Sequence, residues 1–176
     1  MKYTIKNINP ESKFLFFWGH QPSKDSTITK TCCSQWWESS FVVDKIEYKS
    51  AEHWMMAKKA ELFNDKEIFE KIVNAKTPAE AKKLGREVKN YNDIIWLENR
   101  FEIVKTGNLH KFSQNNDLSQ FLINTNKRVL VEASPVDPIW GIGMASDHKD
   151  INNPEKWKGL NLLGFVLMEV RDELRK

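Results

Sequence analysis

Apolar residues recur at three- and four-residue spacing from Leu160 through Leu163, Leu167, Val170 and Leu174, which predicts a core-packing closing helix over 161–175, with Gly164 allowing close helix approach. Earlier in the chain, short apolar and polar runs alternate over 3–18 and end in Phe14-Leu15-Phe16-Phe17-Trp18, a buried strand or core anchor. Phe41 to Tyr48 reads as a small hairpin with Asp44-Lys45 near its turn. Ile68, Phe69, Ile72 and Val73 share one side of a helix over 65–74. Thr77-Pro78 opens a third helical stretch as an N-cap followed by Pro at the first helical position, with Gly85 near its end as a cap. Asn92-Asp93 starts a longer helix to about residue 112, on which Trp96, Arg100, Ile103, Gly107 and Lys111 share one side. On pattern alone its cations read as snorkelling side chains with surface ion pairs. A helical piece over 117–124 and a short strand over 128–132 complete the elements.

The stretch 48–63 organises the rest. It lacks Gly and Pro and is rich in Ala, Met, Leu, Lys and Glu, with Ser50 as N-cap and Asn64-Asp65 as its stop. Met55, Met56, Leu62 and Phe63 form an apolar stripe, and Glu52 and Lys59 fall in the middle of it, about 10 Å of helix rise apart. Neither type is often buried unless paired or functional. The plain alternative is a first-turn carboxylate favoured by the helix dipole and a snorkelling lysine.

Between these elements lie three loop-like stretches. Residues 19–34 are polar, with Pro22 and several Ser and Thr, and are expected to form a surface loop long enough to serve as a lid. Residues 133–144 place two prolines and two glycines around Asp137 and Trp140, a fixed, close-fitting loop of the kind that often carries ligand contacts. Residues 146–158 are polar and expected to be mobile. The architecture expected is a mainly α single domain spanning 1–176 with a minor β-hairpin component.

Composition narrows the function. The chain has 176 residues, 40% hydrophobic and 29% charged, ordinary for a globular protein with a real core. Seven Trp and ten Phe supply core area and flat stacking surfaces. A net charge of +3 allows an anionic ligand without marking a nucleic-acid binder. There is no 18-residue apolar window and no signal-peptide core, and Cys32 and Cys33 are adjacent, unsuited to a structural bridge. A cytoplasmic, reduced protein is expected. The four histidines are scattered with no HExxH or CxxC, so no metal is expected, and Walker A, GxGxxG and GxSxG are missing.

Across residues 14–174, the chain resembles the NADAR (YbiA-like) family. The carriers are Phe17-Trp18-Gly19, Ser39, the helix Ser50-Ala51-Glu52-His53-Trp54-Met55-Met56-Ala57 with Lys59-Ala60, and Ala81-Lys82-Lys83-Leu84-Gly85-Arg86. They continue with Trp96, Arg100, Gly107-Asn108, Lys111-Phe112, Leu130-Val131-Glu132, Asp137, Trp140-Gly141, Gly143, Trp157, Gly159, Asn161 and Leu163-Gly164. Where many members carry Tyr after the Glu-His pair, this chain has Trp54.

The resemblance implies a YbiA-like helical fold and an N-glycosidase that needs no cofactor. It also implies two substrate classes, ribosylamino-pyrimidine phosphates of riboflavin biosynthesis and ADP-ribose on guanine. Both carry a ribose C1 on an exocyclic amine, so partners would be a small N-ribosyl substrate or guanine-ADP-ribosylated DNA or RNA. Cleavage can pass through an oxocarbenium-like state steadied by a carboxylate, with Glu52, Glu132 and Asp137 as candidates. Alternatively a lysine, Lys59, attacks C1 of the opened ribose to form a Schiff base. Glu52 is favoured as acid/base, with Lys59 as nucleophile or electrostatic partner.

Trp18, Trp96 and Trp140 are candidates for base stacking, each with a plain core alternative, and Trp140 is the favoured ligand contact. Arg86, Arg100 and Lys111 are candidates for holding phosphate, and Gly141 and Gly143 for close approach of the sugar. Ser39 and His53 join the substrate contacts by resemblance. Lys-rich segments over 45–59 and 76–89 lean towards a nucleic-acid substrate, although the same runs suit solvated helix faces. The alternative from another class is a non-catalytic module that binds NAD or ADP-ribose.

Overall fold

A computed structural model describes residues 1–9 and 11–176. In chain order the elements are β1 (Phe14–Phe17), β2 (Phe41–Val43), β3 (Ile46–Tyr48), α1 (Ala51–Leu62), α2 (Lys66–Asn74), α3 (Pro78–Gly85), α4 (Asp93–Gln114), α5 (Asn116–Asn124), β4 (Val129–Glu132) and α6 (Leu162–Glu173), with short 3-10 turns at Ile5–Asn7, Lys30–Cys33 and Pro154–Lys156. The fold is mainly α with two small sheets. Two units are described separately: Met1–Ser34 with Asn116–Lys176, and Gln35–Asn115.

Unit Gln35–Asn115 is built around α1. Ser50 caps it, its hydroxyl accepting the His53 N–H, which satisfies one of the orphan donors of the first turn. α1 packs on α2, α3 and α4, so Ala51 through Ala57 are all buried. The expected apolar stripe is therefore replaced by burial nearly all round. A helix enclosed by three others has no solvent face to leave polar. Two small residues let its neighbours close in. A Cβ on Gly85 would strike the Met56 side chain and one on Gly107 the Trp54 indole, while the indole Nε1 donates to the Ile103 carbonyl at 2.8 Å. Gly85 is the last residue of α3, and Arg86 takes the C-cap position in right-handed conformation. Close packing, rather than a left-handed cap, accounts for this glycine. The hairpin forms as expected, with Phe41 opposite Tyr48 and with both Asp44 and Lys45 at positive φ, the pattern of a type I′ turn.

Unit Met1–Ser34 with Asn116–Lys176 contains what the sequence reading missed. β1 and β4 pair in parallel, Phe14 opposite Val129 through Phe17 opposite Glu132, so the β component is more than a hairpin. α6 packs on β4, with the Leu130 carbonyl occupying the space of a Gly164 Cβ. That glycine admits a strand, where a helix was expected. Trp18 is no core anchor, since it is 56% exposed just past β1, and Leu160 is likewise exposed. The supposed surface loop over 19–34 ends in a 3-10 turn that buries Cys32 and Cys33 completely. In the stretch expected to be mobile, Ile151 and Trp157 are buried, and the Trp157 indole donates to the Ile151 carbonyl at 2.7 Å.

Candidate functional site

In unit Gln35–Asn115, Glu52 sits in the first turn of α1 at 2% exposure. Its backbone N–H donates to the Gln35 carbonyl at 3.0 Å. The Gln35 side chain in turn accepts from Asn108 Nδ2 at 2.7 Å, and Asn108 also donates to the Val104 carbonyl at 2.9 Å. Gln35 and Asn108 are buried, and Lys111, one turn beyond Asn108 on the buried face of α4, has no exposure at all. The expectation that Lys111 snorkels is overturned. Pattern alone could not separate a long aliphatic stem reaching solvent from an ammonium carried inside with it.

Lys59 occupies different surroundings near the other end of α1. Its ammonium donates to the Gly85 carbonyl at 2.8 Å and lies over the rings of Tyr91 and Trp96, 4.3 and 5.8 Å from their centroids. Burial pushes its pKa below the ordinary value, opposed by the charge of Asp93. Of the other candidates on this face, Trp96 and Arg100 are half-buried on α4, and Arg86 is exposed at the end of α3.

Ser39 and His53 come together around a cavity of about 270 Å³, which Glu38, Ser40, Lys49 and Lys76 also line. His53 is buried, with Nδ1 at 2.8 Å from the Ser50 hydroxyl and Nε2 at 3.2 Å from the Ala75 carbonyl. A carbonyl only accepts, so Nε2 carries the proton and Nδ1 accepts from Ser50. Burial lowers the His53 pKa. The Lys49 ammonium donates to the same Ala75 carbonyl at 2.6 Å. With Lys49 and Lys76 on its rim, the cavity has the charge to take an anionic group.

In unit Met1–Ser34 with Asn116–Lys176, the candidates gather at the carboxyl end of the parallel pair. Trp18 follows β1, and Glu132 ends β4 half-buried. The Glu132 backbone is fixed on both sides: its N–H donates to Asn161 Oδ1 at 3.0 Å, and its carbonyl accepts from Ile142 at 3.0 Å. Asp137 shapes the following loop. Its Oδ1 accepts from the N–H groups of Ile139 and Trp140 at 2.9 and 2.8 Å, and its carbonyl from Gly143 at 3.3 Å, an Asx-type turn. Trp140 is half-buried within it. A Cβ on Gly141 would meet the Glu132 and Asp137 carbonyls at 2.8 and 2.9 Å, and Gly143 has φ 64°. The loop's own backbone therefore already requires both glycines.

Gln35 and Tyr91 carried no signal in the sequence. Asn108 and Asn161 belong to the matched motifs, but nothing in their spacing suggests what they hold. Among the described residues, no group of three His, Cys, Asp or Glu side chains is placed to hold a metal ion, and no helix is long and apolar enough to cross a membrane.

Comparisons with known proteins show what the chain is similar to. The NADAR domain profile matches residues 16–175. An N-glycosidase of Acanthamoeba polyphaga mimivirus is 44% identical over 167 residues, covering 92% of this chain and 96% of that protein. A riboflavin biosynthesis protein of Vibrio vulnificus is 33% identical over 137 residues, which cover 78% of this chain and 34% of the larger protein. The NMR structure of the E. coli protein YbiA superposes with a TM-score of 0.73 at 24% identity, over 93% of this chain and 86% of that one, a likeness of fold. On the extent of the profile match and of the mimiviral similarity, the chain belongs to the NADAR domain family.

Proposed function

We propose that this protein is an N-glycosidase that hydrolyses the bond between a ribose C1 and an exocyclic amine. The observation that carries the reading is Glu52, a carboxylate held at 2% exposure in the first turn of the most enclosed helix of its unit. Burying a carboxylate is costly and is seldom retained without a task. Similarity to proteins named N-glycosidases and riboflavin biosynthesis proteins supports the same class.

Glu52 acts as general acid/base, protonating the departing amine and then activating water. Lys59 is the nucleophile or the electrostatic partner. An ammonium whose pKa is lowered by burial gives up its proton more readily, as Schiff-base chemistry at C1 requires. Stacked against Tyr91 and Trp96, it stands where an aromatic face also favours a cationic iminium. Glu132, on a backbone fixed by Asn161, is the alternative carboxylate for steadying a sugar cation. Asp137 holds the Trp140 loop in shape, and Trp140 is the favoured ring for stacking on the base, with Trp18 or Trp96 as alternatives. The substrate's phosphate falls to Arg86 and Arg100, or to the Ser39/His53 cavity with Lys49 and Lys76, whereas the enclosed Lys111 is out of its reach.

The preferred substrate is ADP-ribose joined to guanine, free or in DNA or RNA, with ribosylamino-pyrimidine phosphates as the second class. Mass spectrometry of a guanine-ADP-ribosylated oligonucleotide and of a ribosylaminopyrimidine phosphate, with wild type beside Glu52→Gln and Lys59→Ala, tests this. Release of ADP-ribose that is lost in Glu52→Gln supports the assignment. Tight ADP-ribose binding with turnover of neither substrate would replace it with a binding module.

A further inference from the structure

At the amino end of the β1–β4 pair, opposite the end that carries Glu132, lies a cavity of about 380 Å³ lined by Val129, Ser12 and the residues discussed below. Its volume is in the range of small-ligand sites. Three strand steps, about 10 Å, separate Val129 from Glu132, so this cavity is distinct from the Glu132 end of the pair.

Its lining is cationic. Arg171, Arg175 and Lys127 face a single carboxylate, Asp172. That carboxylate already accepts from the Tyr3 hydroxyl at 2.8 Å and from the Lys2 ammonium. Arg171 is the unusual member, a guanidinium on α6 at 2% exposure. One edge is held by protein, with Nη1 donating to Thr125 Oγ1 at 2.9 Å and to the Arg128 carbonyl at 2.8 Å. Its Nε is buried and has no hydrogen-bond partner among the described residues. Arg175, four residues on, is anchored by one nitrogen to the Ile123 carbonyl at 2.6 Å and repels Arg171 through its like charge. Asp172 and a hydrogen bond with Tyr3 favour the Arg171 charge, but burial, the Arg175 charge and an unused buried donor act against it. An oxyanion is the complement that would relieve the like charge and the unused donor, since guanidinium donors match its oxygens in pairs.

We propose that this cavity binds a phosphate-type oxyanion, free or as a phosphomonoester, between Arg171, Arg175 and Lys127. Tyr3, Asn7 and Asn126 also line the cavity, with the Tyr3 hydroxyl and both Asn Nδ2 groups already donating within the protein.

The test is an NMR titration of the arginine Nε–H region of the intact protein with sodium phosphate, and separately with AMP, each against sodium chloride at matched ionic strength. Thermal-shift curves are run in parallel on wild type and on Lys127→Glu/Arg175→Glu. A saturable shift of the Arg171 Nε–H signal is expected at millimolar phosphate. In the double variant the affinity falls at least about tenfold and phosphate no longer raises Tm, a loss in line with removing two charge-assisted contacts. AMP binding more tightly than phosphate would identify a phosphomonoester as the ligand, and equal affinity the free ion; both support the site. No saturable shift of Arg171, or an equal response of wild type and double variant, would overturn it.

Discussion

Asn161 holds Glu132 in place: its Oδ1 accepts the Glu132 N–H at 3.0 Å while its Nδ2 donates to the Leu130 carbonyl at 2.9 Å. One side chain thus reads β4 as a neighbouring strand would. Asn161 has no solvent exposure and sits at φ 53°, a left-handed conformation that Asn tolerates better than most residues. The residue that starts α6 therefore also sets the backbone of a proposed catalytic carboxylate.

Replacing Asn161 by Ala leaves the Glu132 N–H and the Leu130 carbonyl without this partner and puts at positive φ a residue that tolerates it less well than Asn. A loss of about 3 kcal/mol in urea unfolding is expected. Asn161→Gly removes the conformational penalty and keeps the hydrogen-bond loss, so it should recover about 1 kcal/mol of the difference. Equal stability of the Gly and Ala variants would show that φ is relaxed in the folded protein.

His53 gives the fold an acid sensitivity. Burial lowers its folded pKa below the ordinary 6.5, so between 6.5 and that depressed value the unfolded chain takes up the proton more readily. Stability is then full above about pH 6.5 and falls as the pH drops through that window. NMR titration of the imidazole should show a midpoint below 6.5. His53→Gln, which retains a donor for Ala75, should flatten the pH dependence of Tm there. An unchanged slope would place the acid sensitivity elsewhere.

Much of this was legible in the sequence where a local rule decides the structure. Ser50 and Thr77 cap the helices they were expected to cap, and Asn92 caps the helix it was expected to start, because a side-chain oxygen before an apolar-periodic run has one favourable use. The hairpin could be read from its turn. The parallel pairing of Phe14–Phe17 with Val129–Glu132 could not, since its partners lie more than a hundred residues apart and no turn announces it. Cys32 and Cys33 were lost in a polar stretch whose average hides two buried positions. At the candidate site, Glu52 stood out as a charge among apolar residues, and its burial follows. Gln35 and Tyr91 did not, because a neutral amide before Trp36-Trp37 and a tyrosine before Asn92 look like ordinary loop residues until α1 and α4 bring them to Asn108 and Lys59.

The hairpin turn offers a stabilising change. Asp44 and Lys45 hold φ of 50° and 67°, where glycine is favoured at the second position. Lys45→Gly should raise stability by about 0.5–1 kcal/mol, visible as a Tm increase of a few degrees. Lys45→Val, β-branched at positive φ, should lower it, and a reversed order of the two variants would argue against a type I′ turn.

Glu52 and Lys59 lie on one helix yet in separate surroundings, and this predicts separable losses. Glu52→Gln keeps the shape of the side chain, so the folded protein should persist by circular dichroism while turnover falls by about a hundredfold or more, as for removal of a general acid/base. Lys59 acts through its deprotonated form if it attacks C1. Its folded pKa lies below the ordinary 10.5, so kcat should rise with pH up to that depressed value and level off above it. The stability effect has the same origin. Between the depressed pKa and 10.5 the unfolded chain binds the proton more tightly, so this contribution rises with pH across that window and weighs against the fold below it. Lys59→Met should therefore lose the pH-dependent limb of activity and leave Tm at neutral pH unchanged or higher, less what the Gly85 carbonyl loses. Borohydride reduction during turnover should trap a substrate adduct on wild type and none on Lys59→Met. Trapping on neither, with turnover intact in Lys59→Met, would leave the oxocarbenium route, carried by Glu52 or by Glu132, as the mechanism.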